Sequence, residues 1–106
     1  MRLATLRMKI EKSEGWRKMV GQRLAMGIAA LGKKPADIAR LLGISQQRLS
    51  NYINGRRPFD ITFAMQLCDR FGLTLDWLYR GEMAGLPYDL AQKMVPLAGD
   101  EGRLHN

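Results

Sequence analysis

Apolar residues recur along the chain at intervals of three and four rather than two, the spacing of a helix face. Trp16, Val20, Leu24, Ile28 and Leu31 make one such stripe, ended by Gly32. Pro35 suits the first turn of a second helix, where its missing N–H costs nothing. Ile38, Ala39, Leu41 and Leu42 form that helix's apolar side, up to Gly43. Ser45 predicts the N-cap of a third helix, Gln46 to Ile53, which Asn54-Gly55 stops and Pro58 keeps from resuming. Asp60 caps a fourth, with Ile61, Ala64, Leu67, Cys68 and Phe71 on one face and Gly72 at its end. Thr74 opens a short fifth, Leu75 to Arg80, closed by Gly81. No period-two run of β-branched residues persists, so the predicted fold class is all-α. Past Gly81 the pattern weakens: Tyr88 to Val95 predicts two turns that Pro96 halts, and residues 97–106 read as a frayed end. Gly21 and Gly27 each weaken the first helix by about 1 kcal/mol relative to alanine, and Gly27 is expected to mark a close helix contact.

The segment from Pro35 to Ile53 carries the functional signal. Two short helices joined by Gly43-Ile44-Ser45 must cross steeply, at roughly 90–120°. Ala39 supplies the small residue where they touch, Gly43 the bend, and Ile38, Leu42, Ile44, Leu49 and Tyr52 the filling of the angle. The third helix then turns Leu49, Tyr52 and Ile53 inward and presents Gln46, Gln47, Ser50 and Asn51 outward. Amides in that position suit base edges in a DNA major groove. A glutamine or asparagine pairs bidentately with adenine N6 and N7, a discrimination of about 1–3 kcal/mol.

Charge points the same way. The 106 residues carry a net +7, and the excess is concentrated at one end. Residues 1–34 hold nine cations against two acids and residues 35–59 four against one, while residues 60–106 hold four against seven. A field of this kind fits a polyanion. Ser45, Arg48, Asn54, Arg56, Arg57 and Arg40 are the candidate phosphate contacts, with the backbone N–H groups after Asn54-Gly55. At 106 residues and 46% hydrophobic, the chain has room for one domain and a packed core. Trp16, Phe59, Phe63, Phe71 and Trp77 read as parts of that core.

Other chemistry is sparse. The single Cys68 excludes an intrachain disulfide and a cysteine zinc site and reads as a small apolar residue, and His105 has no partner at ligand spacing. No paired carboxylates, Gly-rich phosphate cradle or metal-ligand cluster converges, so neither an enzyme nor a cofactor is expected. No apolar run approaches the ~20 residues of a membrane span, and the basic start is not followed by a secretory apolar stretch; a cytoplasmic location is expected.

Pro35 to Tyr52, followed by NGRRPFD, LCDRFGLTLDWLYRGE and GLP, resembles the helix-turn-helix of the phage-repressor/Cro-like (XRE) family over roughly residues 20–90. The resemblance implies a compact five-helix domain that binds operator DNA, usually as a two-fold dimer. It maps base reading onto Gln46, Gln47, Ser50 and Asn51. Two departures stand out. Lys34-Pro35 replaces the Ser/Thr-Gln that commonly opens the second helix, which moves a phosphate role onto Lys34. Gly27-Ile28 stands where Leu-Arg is usual, removing a familiar ion pair. The expected organisation is a basic N-terminal extension (1–14), the helix-turn-helix domain (15–81) and a C-terminal extension (82–106). The expected function is a homodimeric transcriptional regulator on double-stranded DNA. The alternative is an antitoxin or adaptor that docks a partner protein through Leu86, Leu90, Met94 and Leu97.

Overall fold

The computed structural model describes the backbone of residues 13–105 and the side chains of residues 13–96; the expected basic segment 1–12 lies outside them. Six helices and no strand occur among the described residues: α1 (Glu14–Ala30), α2 (Pro35–Leu42), α3 (Gln46–Ile53), α4 (Ile61–Phe71), α5 (Leu75–Arg80) and α6 (Tyr88–His105). The starts follow from local chemistry. Ser13, Ser45, Asp60 and Thr74 each accept a hydrogen bond from the backbone N–H three residues on, which satisfies a donor the helix itself leaves unpaired.

α1 is the central element and packs against α2, α3, α5 and α6. Leu24 and Ile28 from α1, Ile38 and Leu42 from α2, Leu49 and Tyr52 from α3, and Leu67, Leu73, Trp77 and Leu78 beyond them form one buried cluster. Ile28 is 2% exposed, so its replacement of a charged residue adds to the core. A Cβ on Gly27 would touch the Leu73 side chain at 3.1 Å, so the close contact expected there is made with the segment joining α4 and α5 rather than with another helix. Gly21, read only as a weak point, makes a tighter one. Its Cβ would stand 2.2 Å from the Ile53 carbonyl oxygen, so α1 and the end of α3 meet backbone to backbone. Around this core, Trp16 stacks on Tyr79 at 5.7 Å, and Arg23 donates to the Leu78 carbonyl at 3.4 Å.

The C-terminal region departs from expectation in two ways. Pro96 does not halt the last helix, which runs through it to His105. Proline deprives the Gln92 carbonyl of its intrahelical donor, but Gln92 and Pro96 are both solvent-exposed, so water can replace that bond. Secondly, Leu86, Leu90 and Met94 are 7%, 7% and 0% exposed and belong to the chain's own core cluster. The stripe expected to dock a partner is occupied by α1; the Leu97 side chain lies outside the described residues. No described helix is long and apolar enough to cross a membrane.

Candidate nucleic-acid interface

Gly43 shapes the junction of α2 and α3. It adopts φ +68°, a conformation that L side chains rarely take, and the reversal lets the Ile44 N–H bond back to the Ala39 carbonyl at 3.0 Å. Ser45 then restarts the chain, its hydroxyl accepting from the Arg48 N–H at 3.0 Å. Ala39 at the crossing is 1% exposed, and Leu49 and Tyr52 are each 1% exposed beneath the helix.

With that face anchored, the opposite face of α3 is free. Gln46 and Gln47 are exposed, as expected of an outward face, while Ser50 and Asn51 are half-buried, as is Ile53. Gln47 Nε2 donates to Asn51 Oδ1 at 3.2 Å, and Arg56 Nη1 approaches the same oxygen at 3.5 Å. Gln47 and Asn51 therefore stand as a linked pair rather than as two separate amides. Beside them a shallow groove of about 250 Å³ runs between the start of α2 and α3, lined by Pro35, Ala36, Gln46, Leu49, Ser50, Ile53 and Asn54.

The candidate phosphate residues divide. Lys34, Arg40, Arg56 and Arg57 are exposed, and Arg40 pairs with the neighbouring Asp37 at 3.3 Å. Ser45 is exposed, and Asn54 closes α3 by donating to the Ser50 carbonyl at 3.0 Å. Arg48 is engaged elsewhere: its Nε donates to the Tyr52 hydroxyl at 2.9 Å and its Nη2 to the Asp60 carboxylate. The backbone N–H groups of Gly55 and Arg56 are not free donors; they bond to the carbonyls of Tyr52 and Asn51 at 3.3 and 2.9 Å, because the chain is still closing α3 there.

The Arg48–Tyr52–Asp60 cluster was invisible as a unit in the sequence, since its members lie up to twelve residues apart and Asp60 reads simply as a cap. Asp60 does both. Its Oδ1 accepts from the Phe63 N–H at 2.7 Å while Oδ2 takes the Tyr52 hydroxyl at 3.1 Å and the Arg48 guanidinium. The Phe63 N–H above all, then the Tyr52 and Arg48 donors, hold its carboxyl below the usual carboxylate range against the opposing effect of burial. The cluster thus ties the recognition helix to the start of α4. Cys68 is half-buried, and burial chiefly, with Asp69 beside it, pushes its thiol up, away from reactivity. Among the described residues no group of three or more histidines, cysteines or acids is placed to hold a metal.

Comparison with known proteins agrees with this geometry. Residues 25–78, about half of the chain, match the family model described as Helix-turn-helix. The chain is 31% identical over 83 residues to "Repressor protein CI" of Enterobacteria phage phi80, a match covering 78% of this chain and 34% of that protein. It therefore spans about a third of the length of this curated relative. No solved structure matches.

Proposed function

On the premise that the chain belongs to the helix-turn-helix family of the phage-repressor/Cro type, with a repressor-like DNA-binding domain, we propose that it regulates transcription by reading a palindromic operator through α3 as a homodimer. The observation that carries this is the exposed amide face of α3. Gln46 and Gln47 stand clear of the core at the helix's leading end, Lys34, Arg40, Arg56 and Arg57 are exposed on the flanking segments, and Arg56 reaches Asn51 on the same helix. The amides discriminate bases, with the linked Gln47–Asn51 pair and Ser50 behind Gln46. The flanking cations, with Ser45 and Asn54, hold the duplex by its phosphates and make binding salt-dependent. Arg48 acts through position, bracing α3 on Asp60.

An unbiased selection from random duplexes, followed by binding assays at physiological salt, tests the proposal. Replacing Gln46 and Gln47 with alanine should abolish preference for the selected operator while leaving weak binding to any duplex. Preference surviving that change would remove α3 from the role. Repression by the phage relative supports a repressor's role here, and the same selected operator, placed over a promoter, provides the assay.

A further inference from the structure

A second cationic feature lies outside the reading head. Between the first turns of α1 and the turn after α3 is a surface cleft of about 480 Å³, lined by Glu14, Arg17, Lys18, Asn54, Gly55 and Arg56. Three of those six are cations and one is an acid. The cleft is built by contact of backbones: Gly55 has φ +72°, and a Cβ there would stand 2.6 Å from the Lys18 nitrogen and 2.7 Å from its Cα. Arg17 Nε spans the junction to the Gly55 carbonyl at 2.9 Å. Lys18 Nζ meets Glu14 Oε1 at 2.9 Å with both side chains largely exposed.

We propose that this cleft seats one backbone phosphate of the bound duplex, flanking the groove that α3 reads, between Lys18 and Arg56 with Arg17 as the strut. This rests on the DNA reading above and extends it to the first helix. Two points favour a duplex phosphate over another anion. Arg56 approaches Asn51 on the reading face, so whatever α3 docks on passes beside the cleft. The cleft is also an open surface feature offering the Lys18 and Arg56 side chains, which suits a phosphate carried on a long polymer rather than a small anion held in an enclosed pocket. Glu14 is then the competitor. In the free protein it neutralises Lys18, and on binding the phosphate replaces it, a simple exchange of one oxyanion for another.

The test uses the full chain, its selected operator, a random duplex of equal length, and operators carrying single methylphosphonate linkages. Lys18→Ala should flatten the plot of log affinity against log salt by about one. It should do so equally for operator and random duplex, leaving their affinity ratio unchanged, and Lys18→Arg should restore the slope. The variant should also lose its sensitivity to one flanking methylphosphonate that weakens the unaltered protein. Glu14→Gln should tighten binding to both duplexes at low salt. An unchanged slope and full methylphosphonate sensitivity in a Lys18→Ala protein that melts normally would overturn the cleft alone. Should Lys18→Ala melt early, Glu14→Gln decides, and no tightening overturns the cleft. Failure of the unaltered protein to prefer any duplex would overturn the operator reading, and the cleft with it.

Discussion

A Cβ at position 21 would stand 2.2 Å from the carbonyl oxygen of Ile53 and 2.6 Å from that of Tyr52, both main-chain atoms of α3. Main chain cannot rotate away as a side chain can. Gly21→Ala should therefore destabilise the protein by about 1–3 kcal/mol, even though alanine is better in a helix by about 1 kcal/mol. Gly27→Ala offers the contrast, since the nearest atoms to its new methyl belong to the Leu73 side chain, the closest at 3.1 Å, rather than to main chain. It should stay within about 1 kcal/mol of the unaltered protein, the helix gain offsetting the crowding. Urea midpoints compare the two, and a Gly21→Ala protein as stable as its parent would deny the close approach. Asp60 gives a residue-level effect of pH. Its folded carboxyl titrates lower than the ~3.9 of an unfolded aspartate, so its ionised form stabilises the fold fully above about pH 4. That contribution is lost as pH falls through the lowered native value. Asp60→Asn keeps a capping side chain but lacks the charge. It should be less stable at pH 7, with the gap closing as pH falls below about 4; a gap independent of pH would place the stabilisation elsewhere.

At the scale of the element, α6 is where sequence and structure part. Leu90 lies 7% exposed against the core while Tyr88, two residues earlier, is 76% exposed. Leu90→Ala should cost about 2–5 kcal/mol and Tyr88→Ala within about 0.5 kcal/mol, measured by thermal or urea unfolding. Equal, small losses would mean that α6 adds nothing to the fold. The starts of α3, α4 and α5 were legible because capping is a local rule: Ser45, Asp60 and Thr74 each act on a backbone group three residues away, whereas the Ser13 cap of α1 went unread and α2 starts on Pro35 without a side-chain cap. The burial pattern of α3 was legible for the same reason, since Leu49 and Tyr52 differ from Gln46 and Gln47 by helical phase alone. The fate of Leu86, Leu90 and Met94 was not, because an apolar stripe looks the same whether it meets α1 or a second protein. Nor was Gly21's contact with Ile53, or Arg48's with Asp60, since both depend on where separate helices come to rest.

For the whole molecule the governing facts are shape and the placement of charge. The body measures 41 × 35 × 24 Å. Successive major-groove faces of a duplex lie about 34–36 Å apart. Two copies side by side, each with α3 in a groove, would have centres separated by about one such width, so they can touch on adjacent half-sites without a bridging segment. Residues 1–59 hold thirteen cations against three acids and residues 60–106 four against seven. Among the described residues, 13–59 hold nine cations against two acids, so the positive charge there follows α1 to α3 and their flanking turns. The pairing proposed for the operator can be tested on the DNA alone. Inserting about five base pairs between the half-sites turns one of them half a turn to the opposite side of the duplex. The described bodies of the two copies then lie on opposite sides of the duplex, and affinity should fall to that of an isolated half-site. An insertion of about ten base pairs restores the side but moves the half-sites a further turn apart, beyond the reach of a body of this size. Affinity should remain at the single-site level. Unchanged affinity for the five-base-pair insertion would show instead that each copy binds its half-site independently, and the two-fold arrangement would have to be abandoned while the reading of bases by α3 stood.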